Sequence, residues 1–95
     1  PEELIGAAHA SCYAMAMSLF LGEEGFTADQ MDTQSDVILE QDGEGFSVKT
    51  VHLKIRAKIP NIDQAQFDKI AKAAKENCPI SKLLTAEISL DAALA

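Results

Sequence analysis

"PEELIGAAHASCYAMAMSLFLGEEGFT", residues 1–27, opens the chain, and its reading decides the rest. Pro1 suits the first position of a helix, and Glu2 and Glu3 complement the positive end of that helix. Apolar and small residues then fall on every side, among them Leu4, Ile5, Ala8, Cys12, Met15, Met17, Leu19 and Phe20. A helix that is apolar all round is a buried one. Gly25 followed by Phe26 supplies the glycine and the hydrophobe that close a helix, so the expected span is residues 1–24. The run from Leu4 to Leu21 approaches membrane-span length. Its alanines, its His9, Ser11 and Ser18, and its flanking acids fit a buried core helix better, with both serine hydroxyls bonded back to the chain.

Downstream the period changes from helical to alternating. "TQSDVILEQ" (33–41) and "FSVKTVHLKIRAKI" (46–59) predict two strands joined by the turn "DGEG" (42–45). Val51, Leu53, Ile55, Ala57 and Ile59 point one way, and His52, Lys54, Arg56 and Lys58 the other. Phe46 and Val48 break that phase, which predicts a bulge near Lys49–Thr50. Pro60 ends the strand, and Asp63 with Gln66 forms a capping box, flanked by Ile62 and Phe67 as a hydrophobic staple. Phe67, Ile70, Ala71, Ala74 and Cys78 make one apolar stripe on the helix that follows. Pro79 ends it and opens a short turn, "PISKLL", before a last strand, "AEISLDAAL". The order α-β-β-α-β predicts an α+β fold with two core helices packed on an antiparallel sheet, and 95 residues form a single domain, 1–95.

Composition narrows the function. Eight Lys and Arg against fifteen acids give a net charge of −7, which argues against nucleic acid and anionic membranes as partners. Two distant cysteines are too few for a secreted disulfide scaffold, and the acidic opening is no signal peptide. The expectation is a soluble, cytoplasmic protein in a reducing compartment. The chain starts at proline inside a helix start, so a preceding segment is expected in the longer protein.

No local motif names a metal. His9 and Cys12 form an i, i+3 pair, and Cys78 and His52 would complete a set of four, but no close-spaced ligand pair anchors such a set. "DGEG" lacks the spacing and the lysine of a phosphate loop, and the acids lack calcium-loop spacing. No cofactor is expected. The cysteines have two readings. Free cysteine is commonly a small core hydrophobe, and both lie on core-facing stripes. The same stripes bring the two sulfurs within reach of one another. Taken alone, Cys78 is the better nucleophile, since it precedes Pro79 at a helix start, whereas apolar surroundings raise the pKa of Cys12.

The opening stretch together with "KENCPIS" (75–81) resembles the OsmC/Ohr family, named for osmotically inducible protein C and organic hydroperoxide resistance protein. The likeness runs the length of the chain through "IPNID" and "ISLDA", and "AAHASC" points to the OsmC branch. The resemblance implies a thiol peroxidase that reduces organic hydroperoxides and, less well, hydrogen peroxide. It implies intertwined homodimers with active sites at the subunit interface, and an external lipoyl-type dithiol as reductant. It makes Cys12 the peroxidatic cysteine and Cys78 the resolving one, joined as a disulfide during turnover, which reverses the nomination above. It also implies an activating arginine on a strand preceding residue 1, oriented by a glutamate that matches Glu2. Arg56 does not match that arginine and is expected to face solvent. The alternative is a non-catalytic α+β dimer or binding module with structural cysteines.

Overall fold

The computed structural model describes residues 1–95. Its elements run α1 (Glu2–Glu23), β1 (Gln30–Asp42), β2 (Gly45–Lys58), α2 (Gln64–Asn77), α3 (Pro79–Leu83) and β3 (Glu87–Leu94). The ends of the helices follow their sequence signals. Gly25 takes φ 84°, and the amides of Gly25 and Phe26 reach back to the carbonyls of Gly22 and Leu21, closing α1 with a Schellman motif. Asp63 accepts from the Gln66 amide at 2.8 Å while the Gln66 side chain accepts from the Asp63 amide, so the expected capping box forms.

β1 and β2 form an antiparallel hairpin turning at Gly43, whose φ of 62° favours a residue without a Cβ. The register slips between Ile38 and Leu39, so that Ile38 faces Thr50 and Leu39 faces Val48. Lys49 is therefore the extra residue of the bulge expected there. Past it, Val51, Leu53, Ile55, Ala57 and Ile59 are buried, as their alternation requires.

Three expectations need correction. The sheet is mixed, not antiparallel: β3 joins the free edge of β2 in parallel, with Val51 opposite Ile88 and Ala57 opposite Leu94. The connection from β2 passes through α2 and α3 and carries the chain back to the end where β2 began, which is the requirement of a parallel pair. Secondly, α1 is buried on one stripe only, Gly6, His9, Tyr13, Met17 and Leu21, at three- and four-residue spacing. Its other face leaves Leu4 75% and Met15 74% exposed, because a three-stranded sheet and one other long helix cover a single side. Ser11 and Ser18 lie exposed on that other face too, with no hydrogen bond to a side-chain or backbone partner.

The core lies between α1, α2 and the inner sheet face, with Tyr13, Phe67, Leu53 and Ile55 fully buried. Tyr13 donates to the Ala71 carbonyl at 3.0 Å, so the two long helices are joined by a hydrogen bond inside apolar packing. Outward, Lys54 pairs with Asp36 and Arg56 with Asp91, and His52 bonds to Ser89. Beyond Thr50 the hairpin has no third strand and runs on as a two-stranded ribbon that exposes Ile38, Leu39 and Phe46.

Candidate active site

Cys12 and Cys78 reach one place from opposite ends of the chain. Cys12 lies in the middle of α1, on the flank of its buried stripe, and is half-buried. Cys78 ends α2 and caps α3, where its amide donates to the Ala74 carbonyl at 2.9 Å and Pro79 occupies the first position of α3. The stripe that begins at Phe67 carries Cys78 to complete burial. Both are free thiols, and Cys78 is near enough to act on the Cys12 thiol.

The environment separates the two sulfurs by access. Cys12 opens onto a groove of about 690 Å³ whose walls include Ala8, Met15, Leu19, Phe20 and Ile80. Cys78 is sealed behind it. Burial raises the Cys12 thiol above its ordinary range, and the neighbouring Cys78 raises it further, while the Ile80 backbone amide pulls the other way. No cation takes part in that balance. Burial also raises the Tyr13 phenol, with the Cys78 sulfur adding to it, so Tyr13 stays a neutral hydrogen-bond donor.

Among the other residues singled out from sequence, His9 is fully buried on α1 and His52 is on the outward sheet face, so the two histidines and two cysteines do not gather into one ligand set. Burial lowers the His9 pKa below the usual imidazole value, which leaves it neutral at pH 7. Its Nδ1 lies 3.1 Å from the Ser35 hydroxyl and its Nε2 lies 2.8 Å from the Ser81 hydroxyl. Sequence reading had no means of finding either serine, which lie 26 and 72 positions away along the chain. Glu2 begins α1, with its carboxylate held below the ordinary carboxylate range by its own backbone amide. Ten helical steps separate it from Cys12, about 15 Å along the axis, so it does not touch that sulfur. Arg56 faces outward and is paired with Asp91 at 2.9 Å.

The OsmC-like protein family profile matches residues 1–93. The chain is 52% identical over 91 residues to a peroxiredoxin OsmC of Escherichia coli strain K12, a match covering 96% of this chain and 64% of that protein. It is 34% identical over 92 residues to an organic hydroperoxide resistance protein-like protein of Staphylococcus saprophyticus, with the same two coverages, 96% and 64%. It thus spans just under two thirds of the length of these relatives. An OsmC-like protein of unknown function from Vibrio cholerae has the same fold, with a TM-score of 0.86 at 23% identity over 98% of this chain and 63% of that one. The organic hydroperoxide resistance protein OhrB of Bacillus subtilis superposes with a TM-score of 0.72 at 24% identity, over 100% of this chain and 69% of its own. With the profile matched from Pro1 to residue 93 and half the residues shared with a curated relative, the chain belongs to the OsmC family.

Proposed function

We propose that this chain carries the thiol site of a hydroperoxide reductase acting on organic hydroperoxides. The observation that supports it best is the order of the two sulfurs: Cys12 opens onto an apolar groove and Cys78 is buried within its reach. A peroxide bearing an alkyl group would lie against Met15, Leu19 and Phe20 and meet Cys12 first. The Cys12 thiolate attacks one peroxide oxygen, the O–O bond breaks, and the other oxygen leaves with a proton as an alcohol. Cys12 is left as a sulfenic acid. The Cys78 thiol then displaces its hydroxyl as water and forms a disulfide. An external dithiol, lipoyl-type in the OsmC/Ohr resemblance, gives two electrons and two protons to restore both thiols.

The raised Cys12 pKa is the obstacle to this chemistry, since only the thiolate attacks. In this reading a cation lowers it: the arginine that the resemblance places on a preceding strand. Glu2, too distant to act on the sulfur itself, orients that arginine. The curated names support the reading at its coarser level: peroxiredoxin for one relative, organic hydroperoxide resistance for another.

The test is peptide mass spectrometry after adding one equivalent of an alkyl hydroperoxide to the reduced protein extended by the preceding strand that carries that arginine. The expected product is a Cys12–Cys78 disulfide within seconds. Two unmodified thiols after minutes would sink the proposal, and a Glu2→Gln chain oxidised as fast as its parent would remove Glu2 from it.

The uncovered face of α1 supports a dimer in which a second copy roofs the groove. Leu19, 60% exposed, lies on the same helix face as Leu4 and Met15, and a two-stranded ribbon such as the hairpin end gains from cover. By length and composition α1 could also cross a membrane. Its buried stripe, with a histidine bonded to two serines, favours docking on the sheet, and a cytoplasmic location is part of the proposal. Sedimentation should give twice the chain mass at micromolar concentration, and Leu19→Glu should weaken association by about tenfold or more. A monomer for the parent chain at that concentration would rule the dimer out.

A further inference from the structure

We propose that His9 is a positioning residue for the thiol pair: its bond to Ser81 fixes the turn carrying Cys78 against the helical turn carrying Cys12. The inference rests on the proposed pairing of these cysteines, and it concerns what sets their separation. His9 precedes Cys12 by three residues on α1, and Ser81 follows Cys78 by three residues at α3. Each residue of the clamp is thus about one helical turn from one of the sulfurs. The bond between Nε2 and the Ser81 hydroxyl, at 2.8 Å, is the one nitrogen–oxygen hydrogen bond joining α1 to α3.

Three features make this clamp stiff. The imidazole is planar and fully buried, with Ser81 8% exposed beside it. Its other nitrogen is held by Ser35 of β1, at 3.1 Å, which fixes the plane of the ring. No buried side-chain nitrogen or oxygen is left without a partner, so removing either hydroxyl orphans a ring nitrogen in a low-dielectric place. Stiffness matters because a disulfide tolerates Cα separations of only about 4.4–6.8 Å. A loosened α3 would sample distances outside that window, and closure of the thiol pair would become less favourable.

The two serines give a matched test. Ser35→Ala and Ser81→Ala each delete one hydroxyl from the same ring, but only Ser81 stands on the turn that bears Cys78. The reduced 95-residue chain is equilibrated with oxidised and reduced glutathione, and the disulfide fraction is read by mass spectrometry after acid quench. In this exchange two electrons and two protons pass from Cys12 and Cys78 to oxidised glutathione, giving the protein disulfide and two reduced glutathione molecules. Ser81→Ala should lower the equilibrium constant by about tenfold, the worth of one buried hydrogen bond, with Ser35→Ala within about twofold of the parent. Equal shifts in both variants, or none in either, would overturn the inference and leave His9 as packing alone.

The measurement uses no peroxide. A parent chain that closes its disulfide with glutathione, while the protein extended by the arginine-bearing strand leaves alkyl hydroperoxide intact, would defeat the proposed function, and the serine comparison would still stand. A chain that consumes hydroperoxide with equal closure constants in both variants would defeat the positioning role alone.

Discussion

Cys12→Ser should reduce hydroperoxide consumption by about 10³-fold or more, to the background set by buffer thiols, because a serine hydroxyl neither ionises near neutrality nor forms a stable oxidised state. Cys78→Ser should behave differently, and the contrast is the informative result. The accessible sulfur remains, so one equivalent of hydroperoxide is still reduced at a rate close to that of the parent. Without the buried partner the sulfenic acid on Cys12 has no thiol to condense with. It should accumulate, react with dimedone, and pass to the sulfinic acid when peroxide is in excess. Steady-state turnover with a dithiol should then fall with repeated additions, whereas the first addition is consumed normally. The assay is peroxide loss read against mass shifts of the Cys12 peptide. Equal consumption by the parent and both serine variants would remove the cysteines from the chemistry. A Cys78→Ser chain inert from the first equivalent, beside an active Cys12→Ser, would reverse their roles. Burial argues against that reversal, since Cys78 is fully enclosed and Cys12 borders the groove.

What the sequence revealed divides along a physical line. Signals local in the chain were legible: the glycine closing α1, the Asp63–Gln66 box, the alternation of Val51 to Ile59 and the displaced phase that marks the bulge at Lys49. Each depends on residues a few positions apart. The direction of β3 was not legible, because an edge strand of alternating Ile88, Leu90 and Ala92 reads the same whichever way it runs. The one-sided burial of α1 was hidden for a related reason. Leu4, Met15 and Leu19 are as apolar as core residues, and composition does not distinguish a face covered by its own chain from one awaiting another. The core-facing placement of both cysteines was legible from their helical stripes, while their roles as a pair come only from the resemblance of two motifs taken together. His9 was visible as a polar residue of a core helix, but its partners come from β1 and α3 and depend on the assembled fold.

Gly6→Ala should lower stability, and the same helix supplies its control in Gly22. A Cβ built at Gly6 would stand 2.7 Å from the Ser35 carbonyl oxygen and 3.5 Å from Val37 Cγ2. The first contact is with backbone inside a paired strand, so no side chain can rotate away, and α1 must lift from β1. Alanine is the better helix former by about 1 kcal/mol, which works against the clash. Overpacking of this kind costs about 1–3 kcal/mol, so Gly6→Ala should be destabilising by up to about 2 kcal/mol, with Tm lower by roughly 4–8 °C per kcal/mol in a domain this small. Gly22 has nothing within 4 Å of its Cβ position, and its backbone is helical. Gly22→Ala should therefore raise stability, by up to about 1 kcal/mol. Urea unfolding of the two variants beside the parent reads both signs at once. If Gly6→Ala proves as stable as Gly22→Ala, α1 does not lie this close to β1, and the geometry that brings His9 to Ser35 fails with it. If the signs are opposite, that close approach is real, and the clamp on the cysteines rests on a glycine one turn before it.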